Sequence, residues 1–310
     1  NDAAPGVSID GVAQEQIAAI ERQQDGDRTT VIVTVDNDQA LALLGEQPVQ
    51  TLTLRAGGNG GDAGDDVVGV VGGNLLQALA DQGAAIELRT DRASYMLPAS
   101  LIDLPSFARQ LGEDISPSDV TIRIEVSEAP AAIDAALTEA AAAAGMSLTV
   151  RPIIFEIKLG YGDKTVTVSR FDGFVQRGLT LPDDSDPRGL AGIVLHNDGT
   201  ISPVPIRVVE QDGVLIAIIN SLTNSAYAVA KRDGASMDAG WTSHWGGKDF
   251  ADLVDRWVIF AEEGPSKRPD QAVSRAEFVL ATARAFGLRG GEDAADVKLQ
   301  DVQRDGAVAD

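Results

Sequence analysis

Hydrophobic positions along the chain follow two rhythms, an alternation of period two and a spacing of three and four, and the balance between them changes from one end to the other. Residues 29–35, TTVIVTV, form an apolar β-branched run that predicts a strand, and 49–55 predicts a second. The stretch 121–126, TIRIEV, alternates cleanly and predicts a half-buried strand; 147–159 predicts another, interrupted at Pro152. Helices are predicted over 74–82, with Leu75, Leu76 and Leu79 on one side, over 101–111, and over the alanine-rich 129–144, which Gly145 closes. Residues 39–44 read as a short helix or turn, and 85–90 with 94–97 as a hairpin that Pro98 ends. Upstream, a short helix is expected over 12–23 within a linker or N-terminal arm of residues 1–28. Strand, helix and strand thus occur twice in 29–150, which predicts an α+β domain with helices covering one face of a sheet. The 29–35 strand is either an ordinary core strand or, if left uncovered, a segment able to add to a neighbouring molecule's sheet edge.

After Pro152 the helical spacing disappears. Short apolar runs at 153–159, 165–170, 173–179, 192–195, 206–209, 214–219 and 226–230 are separated by Gly162-Asp163, Asp198-Gly199 and Asp212-Gly213. Such turn pairs between short strands predict an antiparallel β-sandwich over 151–234. Helical spacing returns in 235–310, where Phe250, Leu253, Val254 and Trp257 share one face of a predicted helix over 248–259. Farther on, Ser274 stands three residues before Glu277, the spacing of a capping box that opens a helix. Phe278, Ala281, Ala285 and Leu288 then fall on one face, expected to dock, and Gly287 is a natural stop. The predicted fold is α+β: an N-terminal sheet with short helices, a central antiparallel β-sandwich and a C-terminal helical segment.

Charge narrows the range of partners. Lys and Arg number 25 against 47 Asp and Glu, a formal charge of -22 in 310 residues, so nucleic acid and anionic membranes are disfavoured and cations favoured. The absence of cysteine excludes disulfides and thiolate chemistry. No apolar run reaches the roughly 18 residues of a membrane span, so membrane insertion is not expected. The opening Asn1-Asp2 fits a segment from which a signal peptide has been removed.

Candidate chemistry is sparse. The glycine-rich stretch 57–66 lacks the Gly-Lys-Ser/Thr ending of a phosphate loop, but Asp62, Asp65 and Asp66 are candidate ligands for calcium, which prefers carboxylate oxygen; the bland alternative is a plain surface loop. No other cofactor is expected. Only His196 and His244 are available for zinc or proton transfer, and no Gly-x-Ser-x-Gly elbow is present, so no enzymatic activity is expected. Acidic pairs carry no signal for glycoside cleavage, because 47 acidic residues always supply some pair at the required separation.

Two groups of motifs resemble a known family. His244-Trp245 opening one helix, the loop ending in Arg268-Pro269-Asp270, and Ser274-Arg275-Ala276-Glu277-Phe278 opening the next together resemble one S-layer homology (SLH) repeat. Leu299-Gln300-Asp301-Val302 resembles the start of a second. The loop 262–267, EEGPSK, departs from the family's Asp-Gly-Thr-Phe pattern. Upstream, Tyr161-Gly162-Asp163-Lys164, Val175-Gln176-Arg177, Asp198-Gly199-Thr200 and the run Asn220 to Ser225 resemble the β-rich module that precedes SLH repeats in large cell-surface proteins.

The resemblance implies a non-enzymatic extracellular protein of a Gram-positive-type surface. Such a protein self-assembles into a layer or filament, or is held on anionic secondary cell wall polysaccharide, or both. It implies polysaccharide binding by Arg275 and Trp245, with Ser274 and Glu277 as structural caps. A planar guanidinium grips a carboxylate with two parallel hydrogen bonds, as the family's arginine does an anionic sugar end group. The alternative expectation is a non-catalytic anchoring fragment of a wall-bound polysaccharide-degrading enzyme.

Overall fold

The computed structural model describes residues 5–14, 16–57, 66–111, 115–232, 239–259 and 269–288. In chain order the strands and helices begin with β1 (Gly6–Ile9), β2 (Val12–Ala13), β3 (Ala18–Asp25), β4 (Arg28–Val35) and α1 (Asn37–Glu46). There follow β5 (Thr51–Arg55), β6 (Asp66–Gly72), α2 (Gly73–Asp81), β7 (Ala85–Arg89), β8 (Ala93–Pro98), α3 (Leu104–Leu111), β9 (Thr121–Glu128) and α4 (Ala131–Ala143). The long strand β10 (Met146–Tyr161) leads into β11 (Lys164–Val168), β12 (Arg170–Thr180), β13 (Leu190–Leu195), β14 (Ile201–Val204), β15 (Ile206–Gln211), β16 (Val214–Thr223) and β17 (Ala226–Arg232). Three helices close the chain: α5 (Ala239–Thr242), α6 (Gly247–Asp255) and α7 (Arg275–Ala285). The fold is therefore mixed α+β, with a helical C-terminal segment.

Two large sheets carry the architecture. One runs β15-β16-β12-β8-β7-β5-β1-β2, the other β14-β13-β17-β10-β9-β6-β4-β3, with β11 hairpinned onto β10. The alternation seen in the sequence sets which side chains meet between them. Val31, Val33 and Val35 of β4, Ile122, Ile124 and Val126 of β9, and Phe155, Ile157 and Leu159 of β10 face Leu52, Leu54, Ile86, Leu88, Tyr95 and Leu97 in one shared core. Each such side chain withdrawn from water contributes about 1.5–3 kcal/mol before entropy is subtracted. The layers approach closely at Gly69, where a β-carbon would lie 2.9 Å from Leu54 Cδ2. Helices α1 and α2 add Ala40, Leu44, Leu75, Leu76 and Leu79 to the same core.

Several expectations change in the folded chain. The predicted helix over 12–23 is β2 and β3, because β4 offers a ladder that the Asp25–Arg28 turn closes. Residues 29–35 are not an open edge: β4 lies between β3 and β6. The expected boundary after residue 150 falls inside β10, and β12 pairs with β8 while β10 pairs with β9, so residues on both sides of it share both sheets. The predicted Asp-Gly turn at 212–213 is a two-residue hairpin whose φ angles of 53° and 80° are those of a type I′ turn.

Candidate functional site

The outer face of the second sheet holds α4 and α6. Leu137 and Ala141 of α4 pack with Met146, Ala191, Ile193, Ala228 and Ala230, and Trp257, just after α6, packs against this cluster. Trp257 has φ 60°, a left-handed conformation uncommon for a bulky residue, in which Val258 N–H bonds back to the Leu253 carbonyl at 2.9 Å. Arg256 donates to the Ile206 carbonyl at 2.6 Å, and Val254 is buried. Thus α6 is fastened to the sandwich. Of the expected apolar face, Val254 is inside and Leu253 is left partly exposed.

Around the His-Trp pair, Trp241 stacks on Phe250 with ring centroids 3.7 Å apart and His244 meets Trp241 edge-on. His244 Nδ1 accepts the Gly246 N–H at 3.2 Å, while its Nε2 lies 3.8 Å from Asp270 Oδ1. The folded chain therefore brings the helix-opening His-Trp and the Pro269-Asp270 turn together. Trp245 is 90% exposed.

The capping box forms as its spacing predicts. Glu277 N–H donates to Ser274 Oγ at 3.2 Å and Ser274 N–H donates to Glu277 Oε2 at 2.8 Å. Arg275 is the first residue of α7 and its surroundings leave it exposed. Docking of the α7 face is not what the structure shows: no residue of α7 is buried, and Phe278, Val279, Phe286 and Leu288 are exposed. The helix meets β14 at its C-terminal end, where Gly287 lies against Val204 and Pro205.

Of the calcium candidates, Asp62 and Asp65 lie outside the described residues. Asp66 is gripped by Arg28 through Nη2 to Oδ1 at 2.6 Å and Nε to Oδ2 at 3.1 Å, so a guanidinium answers its charge. Among the described residues no group of three or more His, Asp or Glu is arranged to hold a metal. The other histidine, His196, shares a hydrogen bond of 2.8 Å with Ser202 across the β13–β14 hairpin.

A cleft of about 430 Å³ opens where β9 ends and β10 continues. Arg92 pairs there with Glu128, and Arg151 Nη2 lies 3.1 Å from Asp134 Oδ2, around a floor that includes Val150, Pro152 and Leu181. Opposite charges cancel in pairs across this cleft.

The most deeply buried ionisable side chain among the described residues is Arg177, which the sequence marked only as part of a motif. Its side chain is wholly buried on β12. Nη1 donates to the Val175 carbonyl at 2.9 Å, and Nη2 to the Thr223 carbonyl at 2.5 Å and to Asn224 Oδ1 at 2.9 Å. Three rings surround the guanidinium: Tyr227 at 4.7 Å, Tyr95 at 5.0 Å and Phe155 at 5.6 Å from their centroids. Tyr95 donates its hydroxyl proton to Asn224 Oδ1, and burial pushes its pKa up to about 12 against the opposing pull of Arg177. Tyr227 donates to the Thr223 carbonyl at 2.6 Å. Two motifs far apart in sequence, Val175 to Arg177 and Asn220 to Ser225, are thus one buried knot joining β12, β16 and β17. The only signal available beforehand was an arginine inside an otherwise apolar alternation.

Comparison with known proteins found no matching family model and no significant match among curated proteins.

Proposed function

We propose that this chain is a non-enzymatic structural protein of the bacterial cell surface, which associates with itself and is held on anionic wall polysaccharide by its C-terminal helical segment. The observation that carries the reading is the contrast between a well-filled two-sheet core and an apolar surface left outside. Val273, Phe278, Val279, Phe286 and Leu288 cluster along and beside α7 with 48–67% exposure, and Trp245 is more open still. Water-facing apolar surface of this kind marks a contact surface. Arg275 stands in the first turn of the same helix, where the helix N-terminus adds to its attraction for an anion. No helix among the described residues is long and apolar enough to cross a membrane.

Two experiments test the reading. Purified wall polysaccharide should retain the chain, and Arg275→Ala should release it without changing the unfolding midpoint. Negative-stain microscopy with and without calcium should show sheets or fibres; single particles at every concentration would leave only the anchoring role.

A further inference from the structure

We infer that copies of this chain join head to tail by antiparallel pairing of the β3 edge of one copy with the β15 edge of the next. This rests on the self-association proposed above and names its contact. The sheet orders end in β2 and β3 on one side and in β14 and β15 on the other, and β1 touches β3 while β13 touches β15. β3 and β15 are therefore outer strands at opposite ends of one sandwich. The companion edges are poor partners: β2 has two residues, and β14 contains Pro203.

Hydrogen-bond parity shows which groups are offered. Ile17 carbonyl accepts from Asp36 N–H and a two-residue turn closes Asp25 onto Arg28, so odd-numbered residues of β3 bond inward to β4. Ala18, Ile20, Arg22 and Gln24 consequently direct their backbone groups outward. On β15, Asn220 N–H bonds the Pro205 carbonyl and the turn closes Gln211 onto Val214, so Val208 and Glu210 direct theirs outward. The Ile206 carbonyl also points out but already accepts from Arg256, which leaves 207–211 as the available stretch.

One register satisfies both the backbone and the side chains. Placing Ile20 opposite Val208 sets Ala19 against Val209 and Glu21 against Arg207. Ile20 lies beside buried Val33 on the inner face, and Val208 packs at the rim of the core, so their contact extends the core across the junction. Ile20 is 42% exposed in the single copy. Glu21, which accepts from Gln23 at 2.9 Å, and Arg207 meet on the outer face with opposite charge. Inner face meets inner face, so the β3 sheet of one copy runs on into the β15 sheet of the next. A contact between two different edges is heterologous and adds copy after copy, so the product is a filament unless the rotation between copies closes a ring. Repulsion between copies of charge -22 opposes it, so assembly strengthens as salt shortens the screening length from about 10 Å at ~0.1 M to about 3 Å at ~1 M.

Sedimentation velocity and negative-stain microscopy of the full chain across protein concentration and salt test the contact. Ile20→Pro removes an outward N–H and leaves the hairpin bonds of β3 intact, so it should yield monomers with the wild-type unfolding midpoint. Glu21→Arg and Arg207→Glu, each alone, should raise the concentration needed for filaments about fivefold, the size of one cross-strand charge pair turned repulsive. A mixture of the two single variants should assemble again, because each supplies the charge the other lacks. Filaments that survive Ile20→Pro, or charge variants that mixing does not rescue, overturn this junction and leave self-association standing. A wild-type chain that stays monomeric at every concentration and salt overturns both.

Discussion

Arg177→Met removes a wholly buried guanidinium and keeps most of its aliphatic stem. Three short hydrogen bonds from the cation, to Val175, Thr223 and Asn224, are lost, and hydrogen bonds to charged groups contribute about 1.5–3 kcal/mol each. Contacts with three aromatic faces add about 0.5–2 kcal/mol apiece. Against this, the variant no longer strips a charge of water, a penalty of several kcal/mol, and its thioether packs well on rings. The Val175 carbonyl loses its side-chain donor, while Thr223 keeps Tyr227 and Asn224 keeps Tyr95. The balance is a destabilisation of about 3–5 kcal/mol, carried by the loss of charge-assisted hydrogen bonds and ring contacts whose partners stay buried. Urea unfolding followed by circular dichroism and by fluorescence reads it as a fall in midpoint of about 1–2 M at an ordinary slope of about 3 kcal/mol per molar. Arg177→Lys should recover less than half of the loss, since an ammonium cannot reach the three acceptors from one plane. A methionine variant within about 1 kcal/mol of wild type would refute the reasoning, because it would mean that desolvation cancels the whole network.

Alkaline unfolding follows from the same knot. Tyr95 has a folded pKa of about 12, raised above its unfolded value near 10, so its contribution is complete below about pH 10 and is lost as pH rises towards 12. The wild type should therefore lose about 2–3 kcal/mol more than Tyr95→Phe across that window, read as the difference between their urea midpoints. Phe155→Ala, which empties a buried site between Tyr95 and Tyr227, should cost about 3–5 kcal/mol by the same assay. Ser274→Ala should weaken α7 by about 1 kcal/mol, seen as faster amide hydrogen exchange in that helix with the sheets unchanged.

Where a structural feature depends on a few adjacent residues, the chain itself announced it. The capping box at Ser274 and Glu277 and the Asp-Gly turn at 212–213 follow from local hydrogen bonds and backbone preference, and both are present as read. Alternation in 121–126 likewise decided which side chains of β9 face inward, since a strand's period is built into its backbone. Other features were decided by contacts between distant segments. Residues 12–23 have a pattern compatible with helix, yet β3 forms because β4 supplies a ladder across a tight turn, while a helix that short gains too little without packing to offset its nucleation. The strand β6 is rich in glycine and valine and gives no clear period; β4 and β9 on either side make it central. The apolar face of α7 reads as a docking face, but its burial needs a surface that the described residues do not place against it. Arg177 is the plainest case. A charged residue in an apolar alternation does not say by itself whether it is buried, and only the meeting of Tyr95, Phe155, Asn224 and Tyr227, drawn from three separate stretches of chain, provides the rings and oxygens that hold it out of water.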